Sequence, residues 1–198
     1  MIKIENLSFS YGKKPVIEDL SLELPDRGVF ALMGPSGCGK TTLLYLISGL
    51  LKAKNGKIQR DSDKIAYSFQ EPRLLEQKSA LENVKFVLND KDKDKDKDKI
   101  AISFLTDLGL EAEANTLPRQ LSGGMKQRVS LARALAFDGD VSLFDEPFNG
   151  LDEAIKERAA ALLRKKGEDS LVILITHSAD DAELCGAEIL NFEELNKT

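Results

Sequence analysis

The chain has 198 residues, of which 42% are hydrophobic and 31% are charged, and its formal net charge is −5. This length suits one domain with a sizeable core, with room for a small subdomain. The acidic balance argues against nucleic acid as the main partner, because a phosphate backbone requires a basic surface. Two cysteines are too few for a disulfide framework, so we expect free thiols in a reducing compartment.

The N-terminus shows no targeting signal, because residues 1–5 alternate between apolar and polar side chains as a strand does. No apolar run approaches the roughly 20 residues that a membrane-spanning helix needs. We therefore expect a cytoplasmic protein, and we expect another chain to span any membrane that it serves.

Short alternating segments at residues 2–4, 16–24 and 29–32 predict strands, and residues 11–15 predict a turn. Tyr11 opens that turn. Its ring either packs at a strand end or stacks on a nucleotide base, which any aromatic ring can do by its face.

The most informative stretch lies between an apolar run at residues 29–33 and a helical apolar pattern at residues 43–47. It fits the phosphate-binding pattern Gly-x-x-x-x-Gly-Lys-Thr in the strand–loop–helix context that this motif requires. Glycines let successive backbone N–H groups point at a phosphate, and the helix adds the positive end of its dipole. The predicted nucleotide contacts are Gly34, Pro35, Ser36, Gly37, Cys38, Gly39, Lys40, Thr41 and Thr42.

Within this loop, Lys40 is expected to contact the β- and γ-phosphates, and the Thr41 hydroxyl is expected to ligate Mg²⁺. The alternative is a glycine-rich turn that matches by chance, and the correct flanking segments argue against it. The sequence therefore predicts a protein that binds a nucleoside triphosphate.

Strands are predicted at residues 57–59 and 65–69, and Gln70 follows the second of them. Gln70 is either a polar strand end or a ligand-sensing residue, and spacing alone favours neither. Leu74 and Leu75 follow a proline turn, where they either receive a partner or pack inward.

A helix is predicted at residues 79–89, and residues 90–99 then alternate aspartate and lysine strictly. Neither a helix nor a strand would give this run an apolar face to bury. It predicts a solvated, mobile linker, with a charged docking segment as the alternative. The helical pattern resumes at residues 100–108.

A second helix start suited to anions lies at Leu121-Ser122-Gly123-Gly124. Ser122 is a good N-cap, and the two glycines leave the first N–H groups uncovered. A plain capped helix is the alternative, although such a helix does not need the glycines.

Two carboxylates, Asp145 and Glu146, end an apolar strand predicted at residues 141–144. Beside a phosphate loop, one can hold Mg²⁺ and its neighbour can polarise the attacking water. Residues 171–175 predict a strand buried on both faces, and His177 follows it, where open α/β sheets place ligand-binding groups. Asp152 is predicted to cap a helix at 153–166.

With these motifs in this order, the chain resembles the ATP-binding subunit of an ABC transporter. The stretch from Ser122 to Ala134 carries the resemblance most specifically. It is most similar to importer ATPases of the nitrate, sulfonate and taurine type, which share the methionine at position 125.

The resemblance implies an α/β fold. Its P-loop NTPase core has a mostly parallel sheet flanked by helices, with an N-terminal antiparallel β subdomain and a small helical subdomain. Residues 1–72 and 136–198 would form the core with the β subdomain, and residues 73–135 would form the helical subdomain with the Lys/Asp linker.

The resemblance also implies roles for individual residues. Tyr11 would stack on the base, Gln70 would contact Mg²⁺ and the attacking water, Asp145 would hold Mg²⁺, Glu146 would be the general base, and His177 would contact the γ-phosphate. The motif of Ser122, Gly123 and Gly124 would close over ATP held by a second ATPase subunit, identical or paired, so that two chains share each site.

The implied partners are transmembrane permease subunits and a solute-binding protein, with the ATPase peripheral on the inner face of the cell membrane. Its reaction would be ATP hydrolysis with Mg²⁺, driving transport of a small anion or organic solute, and the expected direction is import. A soluble ABC-type ATP switch without a permease is the alternative. The chain lacks the Asn-Lys-x-Asp motif of GTPases, and neither GTPases nor kinases have a place for the Leu-Ser-Gly-Gly helix.

Overall fold

The computed structural model describes residues 1–88 and 94–196. Its strands are β1 (Ile2–Tyr11), β2 (Lys14–Leu24), β3 (Gly28–Met33), β4 (Asn55–Arg60), β5 (Ile65–Ser68), β6 (Val141–Asp145), β7 (Leu171–Ile175) and β8 (Glu188–Asn191). Its α-helices are α1 (Lys40–Ser48), α2 (Ala80–Lys85), α3 (Asp94–Asp107), α4 (Gly123–Ala136), α5 (Glu153–Asp169), α6 (Ala179–Leu184) and α7 (Phe192–Leu195), and a 3₁₀ turn spans Pro118–Gln120.

The strands form two sheets. The first is antiparallel, with the order β2-β1-β4, and the second has the order β5-β6-β7-β3-β8 with every pairing parallel. The sequence predicts both sheets, and the structure confirms them. All five residues of β7 are buried, as expected for a continuous apolar run inside a parallel sheet.

The alternating side chains of the parallel sheet separate two hydrophobic cores. Val172 and Leu174 of β7 pack in the core that includes α2 to α5. Ile173 and Ile175 point to the opposite face and pack with α1 and the antiparallel sheet. The sheet is therefore covered on both sides, and the ends of its strands remain available for a site.

The prediction of a solvated, mobile linker is wrong for residues 94–99, which form the start of α3. The remainder of the run, residues 90–93, lies outside the described residues. The helix is anchored by the buried residues Ala101 and Leu105. Because helix formation is cooperative, it extends toward the N-terminus, where oppositely charged residues lie three positions apart. Lys85 of α2 forms an ion pair with Asp98, which adds a contact between helices.

We expect glycine at positions 96 and 99 to destabilise the protein by about 1–2 kcal/mol relative to alanine at the same two positions. Glycine costs about 0.5–1 kcal/mol per helical residue, and both variants remove the same Asp96–Lys99 pair. Urea denaturation measures the difference. Equal unfolding free energies of the two variants would contradict the helix.

Candidate nucleotide-binding site

An open cavity of about 410 Å³ lies beyond the carboxyl ends of β3, β5, β6 and β7. Parallel α/β sheets place ligands at this edge, and the volume falls within the roughly 300–1,000 Å³ of small-molecule sites. The cavity is lined by Tyr11, Lys14, Val16, Ser36, Gly37, Gly39, Lys40, Thr41, Thr42, Gln70, Glu146, Ile175 and His177. All but Lys14, Val16 and Ile175 are predicted from the sequence. These three are strand positions that carry no motif, two in β2 and one in β7.

The loop before α1 is shaped around Lys40, which is 5% exposed. Its amino group donates to the carbonyl oxygens of Gly34 and Pro35, both at 2.7 Å. Gly39 has φ 119°, and a Cβ there would lie 2.8 Å from a methyl carbon of Val16. Glycine is therefore required at this position by its backbone conformation and by its neighbours.

Three predicted loop residues, Gly34, Pro35 and Cys38, do not line the cavity themselves. Gly34 and Pro35 instead supply the carbonyl groups that hold Lys40. The sulfur of Cys38 lies 3.8 Å from the Lys40 amino group. Cys38 and Cys185 are both free thiols, as predicted, and burial raises the pKa of Cys185 to about 12.

The predicted metal ligands are Thr41, Gln70 and Asp145, of which Thr41 and Gln70 line the cavity. Asp145 is 2% exposed, and burial raises the pKa of its carboxyl, while a contact with the Thr41 hydroxyl opposes that shift. In the part of the chain that the structure describes, no three His, Cys, Asp or Glu side chains cluster to hold a metal. Mg²⁺ is usually held by one or two carboxylates together with phosphates and water, so the single Asp145 carboxylate beside the Thr41 hydroxyl is compatible with the prediction.

Glu146 lies at the start of the turn after β6 and has φ 52°, a left-handed conformation that is uncommon outside glycine. Its backbone N–H donates to the carbonyl of Ile175 at 3.1 Å, which ties the turn to β7. One carboxylate oxygen, Oε1, lies 3.3 Å from Nε2 of His177. The predicted base and the predicted phosphate contact are therefore adjacent.

The sequence analysis missed Asn149, which contacts Glu146. Its side-chain amide donates to Oε2 of Glu146. The only sequence signal is an asparagine three residues after a glutamate, within a segment that also predicts an ordinary turn.

Tyr11 and Gln70 both line the cavity, and both are exposed. The Tyr11 ring is 50% exposed and rests edge-on against Phe9, with centroids 5.0 Å apart. The ring is thus supported from one side and open on the other, which favours stacking on a base over packing at a strand end. Gln70 follows Phe69, which stacks on Tyr67 at 4.3 Å.

The segment after Gln70 is anchored by two residues that the sequence analysis also missed. Arg133 of α4 donates to the carbonyl of Arg73 at 2.7 Å. Asn83, fully buried, accepts from the N–H of Leu75 at 2.8 Å and donates to its carbonyl at 3.2 Å. Leu74 packs against the helical core, which supports the inward alternative for that residue.

Ser122 is the N-cap of α4, which begins with Gly123 and Gly124, and none of the three lines the cavity of its own chain. The Ser122 hydroxyl oxygen accepts from the N–H of Met125 at 3.3 Å, so the predicted N-cap is confirmed. A Cβ at position 124 would lie 3.0 Å from the carbonyl oxygen of Gly150. The helix start therefore packs closely against the turn that follows Glu146.

The sequence of the chain is similar to those of known proteins. Residues 17–149 match the family described as ABC transporter. The taurine import ATP-binding protein TauB of Escherichia coli O157:H7 is 38% identical over 200 residues, covering 96% of this chain and 78% of TauB. Its counterpart in Shigella dysenteriae serotype 1 is 37% identical over the same shares.

Solved structures show the same fold. The ATP-binding cassette MJ0796, in a dimeric post-hydrolysis state bound to ADP and Pi, matches with a TM-score of 0.82 and 31% identity. A second dimeric structure of MJ0796, described as a bacterial ABC transporter cassette, gives 0.83 and 32%. Each of the two matches covers 93% of this chain and 91% of the MJ0796 chain. Among the helices that the structure describes, none combines the length and apolar character needed to cross a membrane.

Proposed function

Because this chain belongs to the ABC transporter family, we propose that it is the ATPase subunit of an importer, hydrolysing ATP to drive a small organic solute through a separate permease. The taurine named for its relatives belongs to that class of solute. The observation that carries the proposal is the convergence of Lys40, Gln70, Glu146 and His177 from four strand ends on one cavity. Motifs that are separated along the sequence therefore lie together in the structure.

In this function, phosphoryl transfer relies on positioning and charge stabilisation rather than on covalent chemistry of the protein. Lys40 leaves its loop carbonyls to contact the β- and γ-phosphates. Glu146 accepts a proton from the attacking water, and the neighbouring His177 contacts the γ-phosphate. When bound through Thr41, Asp145 and Gln70, Mg²⁺ supplies positive charge that offsets the charge on the phosphates.

Each ATP site is shared by two chains in this proposal. Ser122, Gly123 and Gly124 are anion-suited yet lie outside the cavity of their own chain. The dimeric state of the MJ0796 cassettes supports pairing of two copies. The motif of one chain then closes over the ATP held by the other.

Mixing two inactive variants tests the shared site. Lys40→Ala disables the phosphate loop, whereas Gly123→Asp puts a negative charge where the partner's ATP would lie. A Cβ at position 123 meets nothing within 4 Å, so we expect the second change to leave the fold of the chain intact. In a mixed dimer one site combines the unaltered halves, so the mixture should be more active than either variant alone.

The matched control mixes Lys40→Ala with Glu146→Gln. Both changes then affect residues that one chain contributes to its own cavity, so every site in every dimer carries a defect. No recovery is expected from this mixture. Equal ATPase rates of the two mixtures would rule out the shared site.

We also propose that the chain works in the cytoplasm, attached to permease subunits at the inner face of the cell membrane, with a solute-binding protein delivering the cargo. Deleting its gene should lower uptake of labelled small sulfonates, and the unaltered gene should restore it. Restoration by Glu146→Gln as well would mean that ATP hydrolysis by this chain does not drive the uptake.

A further inference from the structure

The Glu146 carboxylate is contacted by side chains at both of its oxygens. Oε2 accepts a hydrogen bond from the Asn149 amide, and Oε1 lies 3.3 Å from Nε2 of His177. A glutamate side chain on a turn would otherwise sample several rotamers. The two contacts together define one orientation.

The backbone of the turn brings Asn149 into place. Glu146 has a left-handed conformation and donates its N–H to the Ile175 carbonyl, and the Asn149 N–H donates to the Glu146 carbonyl at 3.3 Å. This closes a turn in which the two side chains meet. Strained backbone conformations cluster at functional sites, and Asn149 contacts the strained residue Glu146.

Asn149 and Glu146 meet in a cavity that adjoins the nucleotide cavity. Glu146 and His177 line both the nucleotide cavity and a neighbouring cavity of about 220 Å³. Asn149 lines only the neighbouring cavity. Within one chain, Asn149 therefore contacts Glu146 without lining the nucleotide cavity itself.

We propose that Asn149 is a positioning residue that holds the Glu146 carboxylate in the orientation in which it accepts a proton from the attacking water. This rests on the proposed function, in which Glu146 is the general base. An amide suits the task because it donates a hydrogen bond and does not compete for the proton. Hydrogen bonds to an ionised group are about twice as strong as neutral ones.

The test is Asn149→Asp, which keeps the shape of the side chain and its preference for turns but replaces the donor by a second carboxylate. We expect kcat for ATP to fall about 10- to 100-fold, because the loss includes repulsion of Glu146 as well as the missing bond. The KM for ATP should change less than about threefold, since Asn149 does not line the nucleotide cavity. Asn149→Ala, which removes the bond without adding charge, should give a smaller fall in kcat.

A double-mutant cycle with Glu146→Gln separates this role from a structural one. Under single-turnover conditions, Asn149→Asp should cause no further loss once Glu146 has been replaced. An equal loss in both backgrounds, or a wild-type kcat in Asn149→Asp, would overturn the inference. If Glu146→Gln itself retained turnover, the assignment of Glu146 as the base would fail instead, so the two failures are distinguishable.

Discussion

Replacing Glu146 by glutamine should abolish steady-state ATP turnover while leaving ATP binding intact. Glutamine has nearly the same shape but cannot accept a proton from water at neutral pH. Removing a general base typically lowers the rate by about 10²–10⁴-fold. The ATPase rate and the equilibrium affinity for ATP, measured on the same preparation, test both halves of the expectation.

Glu188→Gln is the matched control, because Glu188 is an exposed glutamate of the edge strand β8 and lies outside the lining of the cavity. It should leave turnover and binding unchanged. A Glu146→Gln rate above a few per cent of the unaltered protein, with binding preserved, would show that another group accepts the proton.

The sequence predicts the parts of this fold that depend on local pattern. The apolar run at 171–175 becomes the buried strand β7, and Asp152 caps α5 by accepting from the N–H of Ile155 at 3.0 Å. The lining residues that follow strands of the parallel sheet are predictable because parallel strands end at one edge of a sheet. A motif that follows each strand must therefore meet the others.

The failures come from interactions between segments that are distant in sequence. Charge alternation alone gives no reason for a helix at residues 94–99, because the stabilising contacts come from the apolar segment that follows and from Lys85. Asn83 and Arg133 are ordinary helix residues in sequence, and their role depends on how α2 and α4 approach the segment after Gln70. Such packing is not encoded by spacing.

Asn149 shows a third kind of failure, in which the motif is visible but its geometry is not. A turn is expected from Asn149-Gly150. Which way the asparagine side chain points depends on the left-handed conformation of Glu146. That conformation cannot be read from residue type, since glutamate rarely adopts it.

Replacing Lys40 by alanine should weaken ATP binding itself, in contrast to the expected behaviour of Glu146→Gln. The Lys40 amino group is buried and is held only 2.7 Å from two loop carbonyls, so it already lies in the phosphate loop before ATP arrives. A hydrogen bond to a charged group is worth about 1.5–3 kcal/mol, which corresponds to about 10- to 100-fold in affinity. Titration calorimetry with the Glu146→Gln background measures this loss without hydrolysis.

Two further variants separate lost charge from a disturbed loop. Lys40→Met keeps the aliphatic stem that packs in the loop, and it should lose about as much affinity as Lys40→Ala if the charge is what binds ATP. Lys13→Ala removes an exposed lysine from the nearby turn and should leave affinity unchanged, because Lys13 does not line the cavity. If Lys40→Met bound ATP with wild-type affinity, the Lys40 amino group would not contribute to binding. The loop would then hold ATP through its backbone N–H groups alone.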